Sequence, residues 1–336
     1  MRTRLLLGIA AIFATAPACV AATVTAGNLL VSASGSNTIV EYTPNGAVVQ
    51  TINISPLPAA AGSDPRDFVS DGNESIIVFN GTFSTALSTI NTVTGAQDDD
   101  TSIEFTTSNR NSHGGIALLG NRVFVNDVTV GTSTTHGLIA WDIGSSSGPT
   151  RFVQGFGTVD LTAGADGLLY ALGSSTASAN TTAGHPASTV HVFDPNSLTR
   201  VDEIALPTGT ASIGFEGLVA AANGELFGID GDTFYRMDRD GNILDTLMVT
   251  KAGSGPTLVD LDISSTGQLL ATDRFGEVFL TDTGFSSVSQ FNIEISGASN
   301  YFAAFASPVT AIPEPSSFAM LGCIAFGLVA RRSRTR

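Results

Sequence analysis

The sequence predicts an all-β fold, most simply a β-propeller of six four-stranded blades. A short motif, in which a small or polar residue and a glycine precede an aliphatic strand, occurs six times. Its glycines are Gly27, Gly72, Gly120, Gly167, Gly224 and Gly267, spaced by 45, 48, 47, 57 and 43 residues. No long apolar pattern with the helical period of 3.6 residues occurs, so very little helix is expected. Repeats of this length and strand content are typical of propeller blades.

The elements of each unit follow in a fixed order. The second strands begin AGNLLVSAS at 26, DGNESIIVF at 71, LGNRVFVND at 119, DGLLYALG at 166, NGELFGID at 223 and TGQLLATD at 266. A third strand, a polar turn and a fourth strand come next, as in VHVFDPNSLTRVDEI or FYRMDRDGNILDTL. First strands precede the glycine motif in RDFVS, GIALL, VDLTA, EGLVAA and LVDLDIS. Asp, Asn and Gly suit the tight turns, and alternating aliphatic, Thr and aromatic residues suit half-buried strands.

The first unit begins at its second strand, Asn28–Ser34, and lacks an innermost strand. After the sixth unit one strand-like segment remains. We therefore predict that Tyr301–Ala306 supplies the innermost strand of the first blade and closes the ring. A seven-bladed ring and an open β-solenoid are the alternatives.

Both ends of the chain carry targeting features. Arg2 and Arg4 precede the apolar run Leu5–Ala16, and the small residues Val20-Ala21-Ala22 allow cleavage before Thr23, which is the layout of a secretory signal peptide over residues 1–22. A lipoprotein signal ending at Cys19 is the alternative. The predicted propeller domain covers residues 23–308, and residues 309–336 form a separate tail.

The tail has three parts in order. A Pro313-Glu314-Pro315 triplet leads into the uncharged run Phe318–Ala330, and four arginines follow at Arg331, Arg332, Arg334 and Arg336. The tail resembles the PEP-CTERM sorting signal of Gram-negative bacteria. That resemblance implies transient membrane insertion, cleavage near the triplet by an exosortase, and transfer to the cell surface. Thirteen helical residues rise roughly 20 Å against a bilayer core of about 30 Å, so a permanent tail anchor is the weaker alternative.

Composition restricts the function classes. The two cysteines, Cys19 and Cys323, lie in the two end segments, so the domain between them has no disulfide, thiol nucleophile or thiolate metal ligand. Removal of both segments leaves nine basic and 29 acidic residues, a net charge of −20. A field of that sign repels nucleic acid, which excludes nucleic-acid binding, and attracts divalent cations.

Acidic residues precede several first strands, where a propeller brings them to the mouth of its central channel. With one histidine they form a candidate metal-binding set: Asp67, His113, Asp160, Glu216 and Asp260. The repeat length and the aspartate-x-x-glycine turns resemble six-bladed NHL and gluconolactonase-like propellers, and the latter resemblance implies a divalent cation, with oxygen ligands suited to Ca²⁺. The alternative is that acidic residues at these positions only cap turns. Two long polar loops, Thr129–His136 and Ser174–Ser188, are further candidates for binding.

Two function classes follow. One is an exported, non-enzymatic propeller at the cell surface or in the extracellular matrix that binds a polysaccharide or a surface protein, with an exosortase and the export machinery as processing partners. The other is a calcium-dependent extracytoplasmic hydrolase or lactonase. The sequence carries no GxSxG, HExxH, P-loop or dinucleotide motif that identifies a catalytic residue.

Overall fold

The fold is described by a computed structural model. It describes residues 24–54, 65–70, 75–81, 85–91, 96–105, 115–127, 137–145, 147–153, 158–173, 189–207, 215–250, 257–293, 295 and 299–306. These residues form 24 strands in six antiparallel sheets of four, with no helix among them. The all-β, six-bladed prediction is confirmed.

Each sheet is one blade, and its strands are given from the ring axis outwards. Blade 1 comprises β24 (Ser299–Phe305), β1 (Leu29–Ser34), β2 (Thr38–Tyr42) and β3 (Val48–Asn53). Blade 2 comprises β4 (Pro65–Ser70), β5 (Ser75–Gly81), β6 (Thr85–Asn91) and β7 (Gln97–Phe105). Blade 3 comprises β8 (Ile116–Leu119), β9 (Arg122–Asp127), β10 (Gly137–Asp142) and β11 (Thr150–Val153).

The second half of the chain repeats this order. Blade 4 comprises β12 (Thr158–Ala163), β13 (Leu169–Gly173), β14 (Thr189–Asp194) and β15 (Thr199–Ala205). Blade 5 comprises β16 (Gly217–Ala220), β17 (Leu226–Asp230), β18 (Thr233–Met237) and β19 (Ile243–Met248). Blade 6 comprises β20 (Leu258–Ile263), β21 (Gln268–Asp273), β22 (Glu277–Asp282) and β23 (Val288–Asn292).

The ring closes as the sequence predicts. Strand β24 pairs antiparallel with β1, with Phe305 opposite Leu29 and Ala303 opposite Val31. Gly27 N also donates a hydrogen bond of 2.8 Å to Ala306 O. The last strand of the chain is therefore the innermost strand of the first blade, and the two ends of the domain hold each other in place.

The core lies between neighbouring blades. One apolar cluster joins Phe227 and Phe234 of blade 5 to Leu261 and Phe279 of blade 6. The inner strands are therefore buried on both faces, and each fully buried large aliphatic or aromatic side chain contributes roughly 1.5–3 kcal/mol. Outermost strands are solvated, as in β19, where Met248 is 67% exposed.

In blades 3 to 6, the repeated glycine of the sequence motif lies in the turn between the first and second strands. Gly167 and Gly224 have φ of +78° and +87°, and each donates its N–H to the residue three before it, over 2.9 Å. Because a side chain at positive φ is strained, the turn favours glycine there. We call the face that carries these turns the lower face, and the opposite face, where the innermost strands begin, the upper face.

The predicted signal segment 1–22, the sorting tail 309–336, His113 and the two long loops all lie outside the described residues. Among the residues that are described, no helix has the length and apolar character needed to cross a membrane.

Candidate functional site

Three of the predicted site residues occupy one repeated position in blades 2, 4 and 6. Asp67, Asp160 and Asp260 each follow a β-bulge in the innermost strand, where the register to the second strand shifts by one residue. A bulge re-aims the next side chain and increases local twist. We call these three residues the aspartate tier.

Each member of the tier bonds to the next blade around the ring. Asp160 Oδ1 accepts a hydrogen bond from Leu161 N (2.7 Å), and its Oδ2 accepts one from Leu218 N of blade 5 (2.6 Å). Asp67 does the same with Phe68 N (2.7 Å) and with Ile116 N of blade 3 (3.1 Å).

Blade 6 continues the pattern and adds a fourth carboxylate. Asp260 Oδ2 accepts a hydrogen bond from Ala303 N of blade 1 over 2.6 Å. Asp262 Oδ2 accepts one from Phe305 N over 2.7 Å, farther along the same pair of strands. Sequence reasoning missed Asp262, although its spacing of two from Asp260 puts both side chains on one face of a strand. The four carboxylates thus link blade 2 to 3, blade 4 to 5 and blade 6 to 1.

Burial sets the protonation of these groups. Loss of hydration raises the pKa of Asp260 to about 7 and that of Asp262 to about 6, although backbone hydrogen bonds oppose the shift. The pKa values of Asp67 and Asp160 lie well above the ordinary aspartate value, first because of burial and then because of repulsion from Asp260. Asp260 is thus close enough to Asp67 and Asp160 for its charge to raise their pKa values.

The tier does not fit a metal ion. Both carboxylate oxygens of Asp67 and of Asp160 already accept backbone N–H groups, whereas Ca²⁺ needs six to eight oxygen ligands directed at it. Within the described part of the chain, no three His, Cys, Asp or Glu side chains are placed to hold a metal. His113 lies outside that part, so the complete five-residue set stays a prediction.

A cavity of about 530 Å³ runs along the ring axis. Asp67, Asp160 and Asp262 line one end of it, and small residues of the lower-face turns, such as Ala165 and Ala222, line the other. The described lining of this cavity thus extends from the aspartates of the innermost strands to the turns of the lower face.

A second cavity, of about 290 Å³, adjoins the first at the lower face. Asp166 Oδ2 lies there and accepts hydrogen bonds from Tyr170 Oη (2.8 Å) and from Arg239 Nη2 (2.7 Å). Burial is the main cause that raises the pKa of Tyr170 to about 12, and the hydrogen bond to Asp166 is the next largest. The tyrosine is therefore a neutral hydrogen-bond donor at physiological pH.

Glu216, the remaining described member of the predicted set, lies apart from the tier. It precedes β16 at the upper face, where its Oε1 is 3.5 Å from Arg274 Nη2 of blade 6. Burial raises the pKa of Glu216, Arg274 lowers it, and Asp230 raises it. Its Oε2 is buried and has no hydrogen-bond partner among the described residues, and the same holds for Thr158 Oγ1 in blade 4. Sequence reasoning did not select Thr158 or Arg274.

Comparison with known proteins identifies the fold. No known protein family and no curated protein sequence matches this chain. Among solved structures, a chain of a nidogen/laminin complex aligns over 83% of this chain and 99% of its own length, with 13% identity and a TM-score of 0.60.

Two bacterial structures are also similar. A Bacteroides caccae protein of unknown function aligns over 83% of this chain and 98% of its own, with 13% identity and a TM-score of 0.55. Virginiamycin B lyase from Staphylococcus aureus aligns over 81% and 83%, with 14% identity and a TM-score of 0.51. At identities this low, the structural similarity shows a shared propeller fold and nothing more.

Proposed function

We propose that this chain is exported, processed at its C-terminal tail, and acts at the cell surface as a non-enzymatic propeller that binds a polysaccharide or a surface protein. The observation that carries the export proposal is the tail itself, in which Pro313-Glu314-Pro315, an apolar run and an arginine cluster stand in order. A signal-like segment at the other end, with arginines before an apolar run, is consistent with the same route.

A binding role is favoured by how the buried acidic groups are used. The tier carboxylates accept backbone N–H groups of adjoining blades, so their oxygens contribute to a rigid ring and are not directed at a substrate. A rigid scaffold that carries loops on its faces is well suited to recognition. A calcium-dependent lactonase would require metal ligands that the described residues do not supply, and we do not propose it.

Export is tested in a Gram-negative host that has an exosortase. The full chain is expressed beside a variant in which Pro313, Glu314 and Pro315 are replaced by alanine. We expect the unchanged chain to appear outside the inner membrane with a mass that lacks the tail, and the variant to stay in the inner membrane at its longer mass.

A matched control replaces Ser316 and Ser317, directly after the triplet, by alanine and should be processed normally. If the unchanged chain keeps its C-terminal arginines, or if the triplet variant is processed like the control, the export proposal fails. Intact-mass spectrometry of the fractionated protein reads both outcomes.

A further inference from the structure

Thr158 and Glu216 stand at the upper ends of two neighbouring innermost strands. We infer that the upper ends of blades 4 to 6 form a binding subsite for a neutral saccharide, in which Thr158, Glu216 and Arg274 bond to hydroxyl groups and Phe275 packs against the sugar ring. This inference rests on the proposed binding function and names the class of ligand.

The backbone holds both residues at the same level of the ring. Thr158 lies two residues before Asp160, and Glu216 lies two residues before Leu218, the two partners of a 2.6 Å hydrogen bond between blades. Thr158 O accepts a hydrogen bond from Asn126 Nδ2 over 3.1 Å, and Glu216 N donates one to Ile229 O over 3.0 Å. Their positions are therefore fixed before any ligand arrives.

Each of the two side chains has a buried polar atom with unused hydrogen-bonding capacity. Thr158 is 1% exposed and Glu216 is 7% exposed, yet Thr158 Oγ1 and Glu216 Oε2 have no hydrogen-bond partner within the described ranges. Buried polar atoms in native proteins are nearly always paired, because an unpaired one costs free energy. A threonine hydroxyl donates and accepts, and a carboxylate oxygen accepts, which matches ligand hydroxyls that do both.

The charges around Glu216 select a neutral ligand. Asp230 is close enough to raise the pKa of Glu216, so an acidic ligand would add to the repulsion. Arg274 already places one cationic group 3.5 Å from Glu216 Oε1, so the site does not require a second cation. Neutral hydroxyl groups supply hydrogen-bond donors without adding a negative or a positive charge to the site.

The turn that carries Arg274 also carries an aromatic residue. Phe275 is 65% exposed. Asp273 Oδ1 holds the turn by accepting hydrogen bonds from Phe275 N (2.8 Å) and Glu277 N (2.7 Å), and Gly276 has a φ of +88°. An exposed ring on a fixed turn offers an apolar face at little entropic cost, and the C–H faces of sugar rings pack against such surfaces.

The test is calorimetric titration of the purified chain with neutral glucose-, mannose- and galactose-based hexasaccharides, and with hexagalacturonic acid as the acidic counterpart. We expect at least one neutral hexasaccharide to bind with a Kd below about 1 mM, and the acidic one to bind at least about tenfold more weakly. No heat of binding from any neutral probe, or tighter binding of the acidic probe, would overturn the inference.

Variants locate the site. Thr158→Val, Arg274→Ala and Phe275→Ala should each weaken binding by about tenfold or more, while Arg239→Ala, a matched arginine at the lower face, should leave the Kd unchanged. Thermal melting confirms that each variant is folded. Equal losses from Arg274→Ala and Arg239→Ala would place the ligand elsewhere and overturn the assignment. The titration uses purified protein, so its failure is separate from a failure of export.

Discussion

Two groups of buried polar side chains, in or directly beside the innermost strands, are used in opposite ways. In the aspartate tier, both oxygens of Asp160 accept backbone N–H groups, one from its own strand and one from the next blade. At the upper ends, Glu216 Oε2 and Thr158 Oγ1 accept nothing from the described residues. Burial and a raised pKa are common to Asp160 and Glu216, so neither property distinguishes a structural group from a ligand-binding group. The two kinds of group are distinguished by the number of hydrogen bonds that their oxygens accept within the fold.

Removing a tier carboxylate should destabilise the fold more than any other substitution proposed for these two groups. Asp160→Ala leaves two buried N–H groups, those of Leu161 and Leu218, without acceptors and also leaves a small void. We expect it to lower the free energy of unfolding by about 3–5 kcal/mol, measured by urea denaturation.

Asp202 provides the matched control for this substitution. It is exposed, and its Oδ1 accepts only from Glu203 N, the next residue in its own strand, over 2.8 Å. Asp202→Ala should therefore cost less than about 0.5 kcal/mol. If Asp160→Ala costs no more than Asp202→Ala, the bond between blades does not stabilise the ring.

The two buried aspartates of β20, Asp260 and Asp262, also predict an unusual pH dependence. Burial raises the pKa of Asp260 to about 7 and that of Asp262 to about 6, above their values in the unfolded chain, so the folded state binds extra protons between about pH 4 and pH 7. Their stabilising contribution is fully present below the unfolded pKa and is lost as the pH rises through 6 to 7. We expect the free energy of unfolding to fall by about 2–4 kcal/mol from pH 5 to pH 8.

Denaturant titrations at intervals of one pH unit measure this change. Asp260→Asn removes the group whose pKa is about 7 and should flatten the profile over the same range. A free energy of unfolding that rises from pH 5 to pH 8 in the unchanged chain would contradict the raised pKa values of Asp260 and Asp262.

Much of the fold could be predicted from the sequence, because a propeller repeats its local signals. The glycine motif, the turn residues and the alternating strands recur in each unit, and the missing first strand of blade 1 matched the unpaired segment near Tyr301. The six repeats predicted the number of blades, and the missing first strand predicted how the ring closes. Apart from the pairing of β24 with β1, pairing between the strands of a blade is local in sequence, so it needs little information from distant residues.

The site was predictable only in part, because contacts between blades are not local. The sequence placed Asp67, Asp160 and Asp260 together at the channel, but it did not show that their oxygens accept hydrogen bonds from N–H groups 43 to 58 residues away. Val159 and Val259 give no sequence signal of a bulge, although each bulge aims the aspartate that follows it. Thr158 is an ordinary strand residue in the sequence, and it is distinguished by a buried hydroxyl that has no hydrogen-bond partner among the described residues.

Removing the hydroxyl of Thr158 should change the stability of the fold very little. Thr158→Val removes a buried hydroxyl that has no hydrogen-bond partner among the described residues and replaces it with a methyl group of similar size. Since no protein hydrogen bond of the side chain is lost and a polar atom is removed from the interior, the free energy of unfolding should change by less than about 0.5 kcal/mol or rise by up to about 1 kcal/mol. Urea denaturation beside Thr272→Val gives the contrast, because Thr272 Oγ1 donates to Tyr301 O across the ring closure and its loss should destabilise the fold. A loss above about 1 kcal/mol in Thr158→Val would mean that its hydroxyl contributes to the fold, and Thr158 would then belong with the aspartates and not with a binding site.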